Sequence, residues 1–187
     1  MSKGGQKQVQ NDSNRLIKKA IKGNKNAFEK LVQEHYERIY RTAYLYVHNE
    51  EDALDVVQEA AYQAYKSIHS LKQPEYFLTW LTRIVIHCAV DVIRKREKVV
   101  SMNDEYLYNL PDGSTPDIEG SSQLLQAIGQ LKHNHRTAII LFYYHDYSIK
   151  TISTVMDIPE NTVKTYLSRG KAELKKVYEK EEERSHG

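Results

Sequence analysis

The chain has 187 residues, enough for one or two small domains, with Lys+Arg 27 against Asp+Glu 25 and a formal net charge of +2. That balance excludes a protein that holds nucleic acid by bulk charge, so any basic surface must be local. One cysteine excludes an internal disulfide and fits a reducing compartment, while only 8 Gly and 4 Pro favour an all-helical fold. No run reads as long and apolar enough to span a membrane, and the opening MSKGGQKQVQNDSN lacks the apolar centre of a secretory signal. The expected place is the cytoplasm. Tyrosine is frequent, at 14, which suits amphipathic core edges or stacking on bases.

Residues 1–14 are polar and aperiodic, and are expected to be a disordered tail. Helical periodicity begins at Arg15 with Leu16, Ile17, Ala20 and Ile21, and Gly23-Asn24 ends it. Asn26 can cap the next helix, in which Phe28, Leu31, Val32, Tyr36, Ile39, Tyr40, Ala43 and Tyr44 recur at the spacing of a buried face. His48-Asn49 breaks it. A third helix opens on Glu50-Glu51-Asp52, acids at the positive end of a helix dipole. Leu54, Val57, Ala61, Ala64, Tyr65 and Ile68 can face a core there. Asp55, Gln58, Glu59 and Tyr62 then share the opposite side, as a solvated acidic face or a docking surface for a partner protein.

After the loop SIHSLKQP comes EYFLTWLTRIVIHCAVDVIRKREK. Phe77, Leu81, Ile84, Val85, Cys88 and Val92 form its apolar face, with Cys88 a plain core residue. Thr79, Arg83, His87 and Arg94 lie on another face beside Trp80. Basic groups and a ring on one helix offer charge for phosphates and a surface for unstacked bases; a charged outer face with a half-buried Trp is the alternative. His87 has no carboxylate nearby in sequence, and His133 and His135 point to different helix faces, so no metal site is expected.

Residues 98–121 change character. Through position 120 they carry five acids against one lysine, with Pro-Asp-Gly and Thr-Pro breaks, and are expected to be a flexible acidic linker. Helices resume at Ser121-Ser122 with Leu124, Leu125, Ile128 and Leu131, then again over residues 136–144. The stretch SIKTISTVMDIPENTVKTYLSRGKAELKK reads as two helices on a tight turn. Ile149, Ile152, Val155 and Met156 make one apolar face, Ser153 allows close approach, and Asp157-Ile158-Pro159 forms the turn. In the second helix Val163, Leu167, Gly170, Leu174 and Val177 face inward. Asn161, Thr165, Ser168, Arg169 and Ala172 lie opposite, with Lys164, Lys171 and Lys175 along a flank. Such a helix can enter a major groove, short polar groups and Arg meeting base edges and Lys meeting phosphates; a helical hairpin with a solvated basic face has the same periodicity. The charged tail after residue 179 is expected to fray. Nothing in the chain is arranged for catalysis, and neither a catalytic residue nor a cofactor is expected.

Three stretches carry a family resemblance. EEDALDVVQEAAYQAY is similar to the polymerase-docking helix of small extracytoplasmic-function RNA polymerase sigma factors of the sigma-70 family. YFLTWLTRIVIHCAVDVIRKR resembles that family's helix for the promoter minus-10 element, and IPENTVKTYLSRGKAEL its minus-35 recognition helix. The resemblance implies two small helical domains, residues 15–97 and 122–179, joined by the linker. It implies that Asp55, Gln58, Glu59 and Tyr62 dock on the clamp helices of the polymerase's largest subunit, with the flap region a further contact. Trp80, Arg83, His87 and Arg94 would meet the opened minus-10 strand, and residues 67–76 would accept a flipped base. Asn161, Lys164, Thr165, Ser168, Arg169 and Lys171 would meet minus-35 duplex. It also implies an anti-sigma factor partner, commonly anchored in the membrane, and no insertion of this chain itself. Three positions depart from the family pattern: His87 for a common Asn, Asp157 for a turn Gly, and Gly170 for a common Ala, the last costing about 1 kcal/mol of helix propensity. Base preference therefore does not carry over. A freestanding helix-turn-helix regulator and a purely protein-binding module remain as other functions for the same pattern.

Overall fold

A computed structural model describes the backbone of residues 3–102 and 121–185, and the side chains of 12–96, 124–177 and 179. Eight α-helices run through the described residues, with no strand among them. The first four, α1 (Lys3–Ile21), α2 (Lys25–Val47), α3 (Glu50–Ser67) and α4 (Phe77–Met102), form one unit. The others, α5 (Ser121–Gln130), α6 (His133–Ile139), α7 (Ile149–Met156) and α8 (Glu160–Ser185), form a second.

Helix ends follow local chemistry. Gly23 turns the chain at φ +88, and Asn24, rather than the expected Asn26, caps α2 by accepting from the Ala27 amide at 2.9 Å. His48 closes α2 in the left-handed region at φ 58. Asn49 caps α3, its Oδ1 accepting from the Asp52 amide at 2.9 Å. Asp157 supplies the left-handed turn between α7 and α8 at φ 55, and Ser153 Oγ donates to the Ile158 carbonyl inside that turn.

Several expectations are corrected. The predicted tail at 1–14 is helical from Lys3, because Ile17 and Ala20 are buried and anchor a turn onto which further turns add without a new nucleation cost. Helix α4 runs to Met102, past the predicted linker boundary at 98, and α8 runs to Ser185, past the predicted frayed end. The rest of the predicted linker, 103–120, lies outside the described residues. In α2 the core line is Phe28, Leu31, Ile39, Ala43 and Tyr46. Tyr36, Tyr40 and Tyr44 instead make a stacked edge ladder, ring centroids 6.2 Å apart at both steps. In α3 the buried line is Ala53, Val56, Val57, Ala60 and Ala64, of which Val57 and Ala64 were expected. Leu54, at 36% exposure, and Tyr65, at 45%, belong to the surface. Small alanines let α3 lie close to α2 and α4, and the larger neighbours are turned outward.

One helix, 74–96, does pass the length and composition test for crossing a membrane, contrary to the sequence expectation, with mean hydropathy 1.4. Its apolar residues have a nearer use: Phe77, Leu81, Val85, Ile86, Ala89 and Val90 are buried in the first unit or against the second. In the second unit the single helix predicted for 136–144 divides. α6 ends at Ile139 and the chain widens into a π-helical turn, Ile140–Tyr144, closed by the His145 amide donating to the Ile140 carbonyl at 3.2 Å. The two units share one continuous core.

Candidate polymerase and nucleic-acid interfaces

Each group of predicted site residues occupies one helix. On α3, Asp55, Gln58, Glu59 and Tyr62 are all exposed and share a face. Glu59 accepts from Gln63 Nε2 at 2.7 Å, and Lys66 stands 5.1 Å from the Tyr62 ring centroid. The face continues beyond the predicted residues. Leu54 and Tyr65 extend it on α3, and an open apolar groove lined by Phe28, Val32, Tyr36 and Ala61 adjoins it on α2. The acidic residues therefore stand beside a tyrosine-rich apolar border rather than on a uniformly solvated face.

On α8 the inward line Val163, Leu167 and Gly170 is buried, while Asn161, Lys164, Thr165, Ser168, Arg169 and Lys171 are exposed. A second tie fixes the helix: His135 Nδ1 lies 2.9 Å from Glu173 Oε1. Thr165 donates its hydroxyl to the Asn161 carbonyl at 3.0 Å, leaving its oxygen lone pairs for an incoming donor. Lys171 lies over two rings of the π-helical turn, 5.9 Å from the Phe142 centroid and 5.5 Å from that of Tyr143. Its ammonium is held to that side of the helix.

On α4 the predicted set divides. Trp80 is half-buried against Phe77, ring centroids 5.9 Å apart. Arg83, His87 and Arg94 line a groove of about 400 Å³ together with Asp91, which sits one turn beyond His87 and was not anticipated. His87 is held below the ordinary histidine range, first by burial and then by Arg83, with Asp91 opposing. The far wall of this groove comes from the second unit: His133, Asn134, Thr137, Val155 and Met156. Sequence reasoning missed these residues, and no local signal marks them, since they lie some 40–70 positions away from the α4 set in the chain. Cys88 is buried and its thiol is pushed up to about 11, first by burial and then by Glu59, as a core residue should be. No group of metal-ligating side chains occurs among the described residues.

Residues 31–99 match the family description Sigma-70 region 2, and residues 121–174 match Sigma-70, region 4. The chain is 32% identical to the ECF RNA polymerase sigma factor SigW of Bacillus subtilis, over 86% of this chain and 93% of that protein. The chain belongs to the ECF sigma factors of the sigma-70 family. Another relative, RNA polymerase sigma factor SigV of the same organism, is 34% identical over 74% of this chain and 82% of its own length. Among solved structures the fold is that of CnrH in complex with the cytosolic domain of CnrY, with TM-score 0.68, 22% identity, 89% of this chain and 97% of that one. It is likewise that of the sigma factor RpoE in complex with the anti-sigma factor NepR from Bartonella quintana, with TM-score 0.66, 19% identity, 81% of this chain and 96% of that one. As a sigma factor, this chain directs RNA polymerase to promoters, which replaces the reading as a freestanding regulator.

Proposed function

We propose that this sigma factor divides its work among three helices. The exposed face of α3, with Asp55, Gln58, Glu59 and Tyr62, docks on core polymerase at the clamp helices of the largest subunit, and the flap region takes the second unit. The α4 face, with Trp80, Arg83, His87 and Arg94, holds the opened minus-10 strand; a base stacked on a ring contributes roughly 1–3 kcal/mol. The outer face of α8 reads minus-35 duplex. The working units run from α1 to α4 and from α5 to α8, with residues 103–120 as their connection. The protein has no chemistry of its own and works in the cytoplasm, where its polymerase is. An anti-sigma factor holds it in reserve, in line with the partners of the two solved relatives.

The observation that carries this reading is the two-sidedness of α8. Val163, Leu167 and Gly170 are packed out of sight, and every residue assigned to minus-35 duplex is exposed on the second helix of a short helix-turn-helix. Arg169→Ala is expected to weaken transcription from one set of promoters by roughly 10-fold or more, the loss of one good base contact. Binding to core polymerase should be unchanged. Reconstituted transcription and a polymerase pull-down check this side by side. Loss of both together would show that Arg169 serves the fold or the polymerase, not the promoter.

A further inference from the structure

None of the three interfaces uses α1. Its inner side is set by Ile17 and Ala20, both buried in the core that also holds Ile68 and Leu71. Arg15, Lys18, Lys19 and Lys22 stand at i, i+3, i+4 and i+7, so they share one face. The Lys22 amide still donates to the Lys18 carbonyl, at 3.3 Å, so the helical turn reaches that far. At about 100° per residue this face lies opposite Ile17 and Ala20, and all four side chains are exposed. The row is about 10 Å long at roughly 1.5 Å per residue.

The ordinary uses of such cations do not account for the row. Among the described residues none of the four has an acidic partner. On other helices Lys25, Lys30 and Lys175 each pair with a glutamate one turn on, at 3.6, 4.0 and 3.5 Å. Asp12 is the one acid among the described side chains of α1. Capping does not need the lysines either. The Gly23 amide donates to the Ala20 carbonyl at 2.9 Å and the Asn24 amide to the Lys19 carbonyl at 3.1 Å, so backbone alone closes the helix. The helix dipole favours cations in the last turn, which holds Lys18 and Lys19, and Arg15 lies outside it.

The position of α1 supplies a use. It packs against two short helical turns, Ile68–Ser70 and Pro74–Tyr76. Both belong to the loop, residues 67–76, expected to accept a flipped base. That loop exposes His69, Lys72, Gln73 and the ring of Tyr76, with Glu75 as its acid. Sites for single strands combine a ring on which a base stacks with a basic track for the backbone. Tyr76 offers the ring, and α1 is the neighbouring helix with unpaired cations. We propose that Arg15, Lys18, Lys19 and Lys22 form a phosphate track for the opened DNA strand where it leaves the flipped-base loop. The track extends, and rests on, the strand-binding role proposed above. Contacts of this kind add affinity without sequence preference.

The test uses holoenzyme reconstituted with the full chain. It is titrated with a dye-labelled fragment of a promoter it transcribes, the minus-10 segment held open by mismatches, at a series of KCl concentrations. Each cation on a single-strand phosphate contributes about 0.7 to the slope of log affinity against log salt. Lys18→Gln with Lys22→Gln should make that slope shallower by about 1.4 and weaken binding most at the lowest salt. Arg15→Gln with Lys19→Gln should do the same, and keeps the test alive should the first pair lose helical content. Lys30→Gln, which removes a charge from α2, should leave the slope as in wild type. A wild-type slope in the folded pairs overturns the track. A fall in polymerase capture by pull-down, or in retention on anionic phospholipid vesicles, with that slope unchanged would assign the row to the enzyme or to a lipid surface instead. Arg83→Ala separates the two readings. A shallower slope there, with none from the α1 pairs, keeps the strand on α4 and overturns the track. The reverse result upholds the track and overturns the strand-binding role of α4.

Discussion

Gly170 shows how a single residue can be misjudged outside its packing. In isolation a glycine inside a helix costs about 1 kcal/mol against alanine. In place, a Cβ there would come 2.8 Å from Ile139 Cγ1 and 3.5 Å from His135 Cβ, where α8 crosses α6. The neighbour is the branch of a buried isoleucine rather than the free end of a long chain, so it has little room to retreat. Overpacking of this kind costs roughly 1–3 kcal/mol, against about 1 kcal/mol of helix propensity regained. Gly170→Ala should therefore lower stability by about 1 kcal/mol, read as an earlier midpoint in urea unfolding followed by circular dichroism. A later midpoint would mean that Ile139 gives way. Asp157 is the opposite case. Its side chain tolerates the left-handed turn that a glycine more often fills, and that was legible from residue type alone.

At the scale of elements, periodicity located α2, α3, α4, α7 and α8, because long amphipathic helices announce themselves. In α3 it placed Val57, Ala64 and Ile68 inside, where they are buried, but chose Leu54 and Tyr65 over Ala53, Val56 and Ala60 for the rest of the inner line. A helix whose core is built from Ala53, Ala60 and Ala64 gives a weak apolar signal, and the larger Leu54 and Tyr65 draw the eye to the wrong side. The correction enlarges the docking face, since those two residues now border Asp55 and Glu59. Asp55→Ala with Glu59→Ala should weaken capture by core polymerase roughly 10-fold while leaving helicity intact, as expected when charges at an interface rim are removed. A competition pull-down measures this, and equal capture would remove α3 from the docking surface. The π-helical turn after α6 was not legible, because nothing in Ile140–Tyr144 distinguishes five-residue from four-residue bonding before the chain is folded.

The whole molecule holds its two units together through pairings separated by 65 to 107 positions, which no local pattern encodes. Two histidines stand on that seam, His145 buried and His48 half-buried. His145 is lowered to about 3, first by burial and then by Arg38. His48 packs against Gly129 of α5 and is lowered to about 4, first by burial and then by Arg136. Both native values lie below the ordinary 6.5, so below pH 6.5 the unfolded chain takes up protons that the folded chain refuses. Their contribution is complete above pH 6.5 and is lost as pH falls towards the native values, with a slope approaching about 1.4 kcal/mol per pH unit for each. Unfolding in urea should come earlier at pH 5 than at pH 7, and His145→Gln should flatten that dependence. An unchanged slope in the variant would show that His145 is not buried in its neutral form.

Cys88 is the chain's one sulfhydryl, and it is sealed in the core with a thiol that ionises only near pH 11. Peroxide and disulfide reagents act on thiolates, so they find almost no foothold here. Any oxidative stress that changes the output of this sigma factor through thiol chemistry must be sensed by a different molecule and relayed to this one by contact.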